Sequence, residues 1–552
     1  MMRPMWRRFA VPLVVSLVGC GSCHTRSAPD AGPVAAVSAD WLEGRLPAET
    51  GQPRRGGTLV VRAPAEPAGL NPLEDRFRDG WTIRITRNLV LEALLEIDPV
   101  DYSLRPQLAE SWKDSDDHRV TTFVLRQGVT FHDHTALTAK DVAAVLEAVM
   151  DPKRPTSALR SAFTELEGWK VIDERTIELR WRRPSPFVLR ALAQLPILPA
   201  ASLAGDWSAL ASSPIGTGPY RVASWERGGA VKLERAGAWW GGEVNLDRIV
   251  FRVVKDATVA AALFERGEVD VMCGIQPAAW RAMERDPSMA WARTGWNRFR
   301  SPDNSFSYIA WNEALPFFAD ARVRRALAHL YPAELAARTI DLGLEPPTTC
   351  PHFTQGGRCD EAVKPISFSV SEARAELADA GFADADGDGV LDRDGTPLRF
   401  HLLIPATSVR LGKLAPLLQE QARLAGVDLI PEKADVATLS TRVSKHDFEA
   451  VSRIWTEFDA DHELSYIFHT DGGSNFVGYS SPEADRLLDE IRGTWDLGHR
   501  RELERALHRR LYEDQPYLFM TVRQSLDAAK TTVKGLRPSL QWYDLRRAWV
   551  ER

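Results

Sequence analysis

Residues 104–142 read LRPQLAESWKDSDDHRVTTFVLRQGVTFHDHTALTAKDV. Thr138-Ala-Lys-Asp141 has the form of a capping box, in which the first and fourth residues satisfy backbone N–H groups at a helix start. Behind it, Val142, Val145, Leu146 and Val149 recur at helical spacing, which predicts a helix with one apolar face. On either side the period changes. In RTIELRW (175–181), Ile177, Leu179 and Trp181 alternate with polar residues, the pattern of a half-buried strand. GGTLVVRAP (56–64) is a β-rich run that stops at Pro64. Asp320 is placed to cap a second helix with Val323, Leu327 and Leu330 inward. Ser371 is expected to cap a third, SEARAELADA, closed by Gly381 at a left-handed position. Ser481-Pro482 opens a fourth, with Leu487, Leu488 and Ile491 on one face. Strand and helix patterns interleave from Gly56 onward without internal repeats, so the fold class is mixed α/β (α+β).

The chain has 552 residues, enough for several domains. Hydrophobic residues make up 44% and charged residues 26%, which excludes wholesale disorder. Its formal charge is −6 and no basic cluster is present, which argues against nucleic acid as a partner. The 18 tryptophans suit recognition surfaces as well as cores.

The N-terminus indicates export. MMRPMWRRFAVPLVVSLVGC (1–20) joins a basic start to an apolar run from Phe9 to Val18, about 10 residues against the roughly 20 needed to cross a bilayer. Residues 1–19 therefore read as a signal peptide. Leu17-Val18-Gly19-Cys20 resembles a bacterial lipoprotein cleavage box, with Cys20 the lipidated residue, and several acyl chains make a firm anchor. Residues 20–55 are rich in Ala, Gly, Pro and Ser and read as a flexible tether. The expected place is the cell envelope, on the periplasmic face of a membrane. An oxidising compartment permits disulfides. Cys350 and Cys359 bracket a short Pro- and Gly-containing loop and are the preferred pair. Cys273, in VDVMCGI, is expected to be a buried thiol, and Cys23 in the tether is available to another chain.

Motifs for catalysis are sparse: Gly-x-Ser-x-Gly, His-Glu-x-x-His and Walker loops are all missing, so no enzyme is expected. Gly216-Thr-Gly218-Pro219 lacks the third glycine of a dinucleotide loop and reads as a turn into a strand at Tyr220–Val222. His132-Asp133-His134 reads as an exposed turn, with a transition-metal site as the alternative. Asp384, Asp386, Asp388, the Val390 carbonyl and Asp392 match positions 1, 3, 5, 7 and 9 of a calcium loop, with Gly389 at position 6. Position 12 is Gly395 instead of the bidentate Glu, leaving Asp394 as its substitute. An Asp/Gly turn before a strand at Leu398–Leu403 is the competing reading. No cofactor is required, and any bound Ca2+ would be structural.

Several segments in one order resemble a known family. Leu104–Trp112, Thr122–Val129, Phe131–Asp133 and Leu137–Val142 are followed by Ser213-Pro-Ile-Gly-Thr-Gly-Pro-Tyr220 and Gly267-Glu-Val-Asp270. Then come Asn312 with Pro316-Phe317, Asp320–Ala326, Ala380-Gly-Phe382 and Asn475…Tyr479…Pro482…Asp485. The succession is similar to the family-5 extracellular solute-binding proteins, the dipeptide- and oligopeptide-binding components of ABC importers. The resemblance implies a two-lobe periplasmic binding-protein-like fold (type II, cluster C-like). Lobe I would hold residues 56–75, 214–285 and 515–552, an extra domain 76–213, and lobe II 286–514. It implies a monomeric lipoprotein that closes about a hinge on a peptide and delivers it to a permease with its ATPase subunits. The alternatives are a related carrier for a nickel complex, haem, sugar or opine, and a signalling or chaperone lipoprotein.

The resemblance also implies the ligand site. Pro64, Ala65 and Glu66 would offer backbone to a peptide, as an added strand does. The second part is Ile454-Trp-Thr-Glu-Phe-Asp-Ala-Asp-His462. In peptide-binding relatives the tryptophan is followed three residues later by an aspartate that pairs with the peptide's α-ammonium group. Trp455 and Asp461 keep that frame, but Phe458 stands in the aspartate's place and His462 replaces a proline. Glu457 or Asp459 would then supply the charge that a buried ammonium needs.

Overall fold

The computed structural model describes residues 51–98, 103–285, 295–352, 357–456, 462–539 and 542–551. Its centre is a ten-stranded sheet. In order across it run Asp428–Ala434, Arg399–Pro405, Ala450–Thr456, Trp296–Trp311, Tyr517–Lys530, Val271–Met272, Thr58–Ala63, Arg248–Val253, Ala230–Arg235 and Tyr220–Glu226. The two long strands in the middle, Trp296–Trp311 and Tyr517–Lys530, pair antiparallel over nearly their whole length. Each has an outer strand neighbour along one part only. Residues 305–311 pair with Ala450–Thr456, whereas Ala528 and Ala529 pair with Val271–Met272. The pairing slips between Pro302 and Phe306. Pro302 has no amide hydrogen for the ladder, and such an irregularity bends a strand. The sheet thus consists of two half-sheets joined by a bent two-strand crossing.

Side chains alternate across this sheet and build a core on each face of each half. Leu59 and Val61 belong to one core of the first half, while Ala528 and Trp296 belong to the core on the opposite face. In the second half, Leu518 and Met520 lie in one core and Tyr517 and Phe519 in the other. A four-stranded antiparallel sheet, Ala109–Asp114, Val120–Leu125, Thr176–Trp181 and Leu166–Val171, packs with helix Ala139–Met150 into the same core as Leu59 and Val61. The strand Thr176–Trp181 buries Ile177, Leu179 and Trp181, each contributing about 2–3 kcal/mol relative to exposure.

Local signals set the helix starts. Thr138 N–H donates to Asp141 Oδ2 at 2.8 Å in the capping box. Asp320 accepts from the Arg322 N–H before helix Ala321–Ala328, and Ser481 from Ala484 N–H before Pro482–Gly493. The third helix differs from expectation: Ser369, not Ser371, caps Val370–Asp379 by accepting from Glu372 N–H. Ser369 has the extended backbone a cap needs, whereas Ser371 already lies in the first turn and its hydroxyl meets that of Ser369. Gly381 does take the left-handed conformation, φ +90°. Cys350 and Cys359 are disulfide-bonded, with Cα atoms 6.0 Å apart, and Cys273 is a free, buried thiol. No helix among the described residues is long and apolar enough to cross a membrane. The signal segment, Cys20 and most of the tether lie outside the described residues.

Candidate functional site

Strand register shows where two strand ends converge. Thr58–Ala63 is parallel to Val271–Met272, whose Met272 sits opposite Ala528. Ala450–Thr456 is antiparallel to Trp296–Trp311, with Trp455 opposite Phe306, and Phe306 is opposite Val522. Both C-terminal ends therefore run toward the bent part of the crossing, from opposite halves. From Ala528 to Val522 the crossing strand spans about 20 Å, at ~3.3 Å per residue. Pro64 to Glu66 continue one end, and Glu457, Asp459 and Asp461, outside the described residues, continue the other.

The first end is held by buried polar groups. Arg62, the one charged residue of the strand Thr58–Ala63, is 3% exposed. Its Nε donates to Val254 O at 3.0 Å, and its Nη1 to Cys273 O at 2.5 Å and Gly274 O at 3.3 Å. These carbonyls cap the two flanking strands, so one guanidinium ties three strand ends together. Asp527 of the crossing strand accepts from Gly274 N–H at 2.7 Å and from Tyr543 Oη–H at 2.5 Å. Gly274 has φ +69°, and a Cβ there would stand 3.3 Å from Arg62 Nη1 and 3.4 Å from Pro64 Cγ. A side chain would thus be strained and crowded at once. Burial lowers the pKa of Arg62 and pushes the Cys273 thiol well up, with Asp527 adding to the latter. Beyond this buckle, Pro64 is half-buried and Ala65 exposed. The Glu66 carboxylate accepts Gly228 N–H at 2.9 Å, which ties it to the hairpin turn between Tyr220–Glu226 and Ala230–Arg235.

The second end is aromatic. Trp455 is half-buried, stacked toward Tyr308 (6.4 Å between centroids, 14°), edge-on to Tyr466 (6.0 Å, 89°) and near Phe476 (6.5 Å). Tyr308 in turn stacks on Tyr517 at 4.4 Å. Burial pushes both phenols up. The Arg453 guanidinium lies 5.9 Å from the Phe476 ring, and Ile454 is 47% exposed on the opposite face. Where the chain returns, Arg358 Nη2 donates to His462 O at 2.7 Å and meets Glu504 Oε1 at 2.9 Å. Arg358 and Glu504 are fully buried, and Arg358 directly precedes the disulfide residue Cys359.

Sequence reasoning missed Arg62, Asp527 and the rings around Trp455. A charged residue inside the run TLVVRAP was the available signal for Arg62. Its partners are about 200 residues away and leave no local trace.

The other motifs serve structure. His132 is half-buried, a correction to the exposed turn, which holds for Asp133 and His134. Gly216 N–H donates to His132 Nδ1 at 3.2 Å, so Nε2 carries the proton and donates to Gly218 O at 2.9 Å. Both ring nitrogens are used, which argues against a metal. His134 has φ +69°, a turn conformation that glycine takes more easily. Gly216 passes so close to Val90 that a Cβ would lie 1.9 Å from its carbonyl oxygen. Between these glycines, Thr217 donates to Glu92 at 2.8 Å, as do the indoles of Trp239 at 3.2 Å and Trp240 at 2.7 Å. Burial pushes Glu92 up to about 7. Asp384, Asp386 and Asp388 bring one carboxylate oxygen each within 4.8 Å of one another. Each also accepts N–H groups of its own loop. Asp392 Oδ2 instead accepts Ala385 N–H at 3.2 Å, and Asp394-Gly395 form the turn of the hairpin Asp392–Arg393/Thr396–Pro397.

Comparison with known proteins agrees with this architecture. The oligopeptide-binding protein AppA of Bacillus subtilis is 25% identical over 520 residues, covering 91% of this chain and 93% of the relative. The dipeptide-binding protein of Escherichia coli is 23% identical, covering 87% and 91%. AppA from Bacillus subtilis in complex with a nonapeptide superposes with a TM-score of 0.78 at 24% identity, covering 91% of this chain and all of that one. NikZ from Campylobacter jejuni in complex with Ni(L-His) gives 0.76 at 23%, covering 89% and 97%. These likenesses establish the two-lobe fold. The profile described as bacterial extracellular solute-binding proteins, family 5 Middle, matches residues 103–475, more than half of the chain. The chain belongs to the bacterial extracellular solute-binding proteins of family 5.

Proposed function

We propose that this protein is the substrate-binding component of an ABC importer, a lipoprotein anchored outside the cytoplasm through Cys20, and that it captures peptides. The observation that carries this reading is the convergence of two strand ends, one from each half-sheet, on a bent crossing. Ligand contacts to both ends favour a closed form in which the halves have rotated about that crossing. Pro64, Ala65 and Glu66 present mainly backbone, which suits a peptide of any side chain. Trp455, with Glu457, Asp459 and Asp461 beyond it, supplies an apolar wall and charge for an ammonium group. On this reading residues 56–75, 214–285 and 515–552 belong mainly to lobe I, 76–213 to the extra domain and 286–514 mainly to lobe II, with the strands Trp296–Trp311 and Tyr517–Lys530 crossing between the lobes. The protein acts as a monomer without catalysis, and a permease with its ATPase receives the closed form. The relatives named for oligopeptides and dipeptides support the peptide reading.

Native mass spectrometry of the purified protein, followed by titration with tri- to pentapeptides, tests it. Co-purified short peptides and a Kd near micromolar, about −8 kcal/mol, are expected. A single non-peptide solute in the cleft would overturn the peptide reading in favour of a carrier for a metal complex, haem, sugar or opine. Phe458, where peptide-binding relatives have aspartate, motivates that second reading. Palmitate labelling lost in Cys20→Ser checks the anchor. Asp384, Asp386 and Asp388, with the Val390 carbonyl and Asp392, are the groups that would hold a structural calcium ion. Added Ca2+ should then raise Tm, and an unchanged Tm leaves them as loop hydrogen-bond acceptors only.

A further inference from the structure

Away from the crossing, two aromatic contacts among the described residues join the halves. The turn 115–119 joins the first two strands of the four-stranded sheet, and His118 in it has φ +54°. Its imidazole lies flat on Trp495 of the other half, with centroids 3.7 Å apart and planes at 10°. Asp114 Oδ2 stands 3.7 Å from His118 Nδ1. Trp495 lies in the short link between helices Pro482–Gly493 and Leu497–Asp514, just before Asp496, whose side chain caps the second helix through His499 N–H.

The second contact is Phe187, at the start of helix Phe187–Leu192. Val188, Leu189 and Leu192 belong to the first core, but Phe187 packs against the core of the other half. The Arg500 guanidinium lies 5.0 Å from its ring centroid. Arg500 is itself fixed, being 5% exposed with Nε 4.0 Å from the buried Glu504. Both acceptors thus sit at one end of helix Leu497–Asp514. The disulfide loop braces that helix through Arg505 Nη1 to Gly357 O at 3.1 Å and Asp360 N–H to His508 Nδ1 at 3.0 Å.

We propose that His118 on Trp495 and Phe187 on Arg500 form a latch that holds the two halves closed, so that these four residues set ligand affinity without touching the ligand. Each contact joins a residue before 214 to one after 480, and rotation about the crossing separates them. Contacts made only in the closed form add to its population, and ligand affinity follows that population. The inference rests on the capture reading above, but its first measurement needs no ligand.

The test uses the full chain with spin labels at Ile172→Cys and Val436→Cys. These exposed positions (48% and 60%) lie on opposite halves. Distances are measured with and without an equimolar tri- to pentapeptide library, in the wild-type background and with Phe187→Ala, Trp495→Ala and both. The closed fraction should fall in each variant and most in the double one. Peptide Kd should rise by about tenfold in the double variant, as expected for two aromatic contacts. His118→Phe, which keeps the stack, should retain the wild-type distances. Because Phe187 and Trp495, the two residues truncated to alanine, are only half-buried, thermal melts of the variants should stay near wild type. Distance distributions unchanged by the double substitution in both conditions would overturn the latch. A wild-type protein that binds no peptide overturns the peptide reading and leaves the ligand-free distances to decide the latch.

Discussion

The two ends that converge on the crossing are made differently. The Thr58–Ala63 end is positioned by a buried guanidinium that gathers three carbonyls. The Ala450–Thr456 end is positioned by rings packed on rings. Hydrogen bonds to backbone fix strand ends whatever the neighbouring side chains are, so residues beyond Arg62 are free to vary. Ring packing shapes a wall directly through side chains, so there identity matters. On the proposed reading, the first end gives generality for the ligand and the second selectivity.

Four substitutions break or sharpen that contrast. Arg62→Met removes the buckle and should cost about 3–5 kcal/mol in denaturant unfolding, the range for one partner lost from a buried charged network. A loss below about 1 kcal/mol would mean that the strand ends hold themselves. Next is Glu92, the carboxylate that keeps the Gly216–Pro219 turn of the first half. Its folded pKa, about 7, lies above the usual 4.5 because of burial. The folded state therefore binds a proton more tightly than the unfolded one. The Glu92 contribution to stability is fully present below about pH 4.5 and is lost as pH rises through 7. The span is at most about 3 kcal/mol. Glu92→Gln should flatten that slope in melts at pH 5 and pH 8; an identical slope would assign the pH dependence elsewhere. One other group is Glu313 in the second half, also pushed up to about 7 by burial but opposed by Arg324, 3.0 Å away.

Smaller effects are expected at the ligand. Trp455→Ala should weaken peptide binding at least tenfold by calorimetry, about 1.4 kcal/mol or more. Unchanged binding would remove the aromatic wall from the site. Ala65→Ser, on the backbone-built side, should leave Kd within about twofold, or ~0.4 kcal/mol. A larger change would show that side chains are read there too.

Legibility followed distance along the chain. Thr138 with Asp141, Asp320, and Ser481 with Pro482 were readable because cap and helix are three or four residues apart. Ser369 was not, since nothing within SEARAELADA says which serine takes the extended backbone before the first turn. The alternation in RTIELRW was readable because the strand has one buried face. In Thr58–Ala63 the same alternation hides Arg62, whose use depends on Val254, Cys273 and Gly274. His132 looked like an exposed turn because its acceptor and donor, Gly218 O and Gly216 N–H, lie more than 80 residues away.

The order of motifs from Leu104 to Asp485 was by itself enough for the fold class and the family, because each motif records a local need: a cap, a turn, one apolar face. The run GGTLVVRAP also put Pro64–Glu66 after a strand, and the resemblance pointed to Trp455. Tertiary structure alone decided that these ends converge on a bent crossing, that Arg62 buckles one of them, and that His118 and Phe187 reach across to Trp495 and Arg500. Those facts depend on strand register and on contacts between residues hundreds of positions apart, where geometry, and not neighbouring residues, selects the partner.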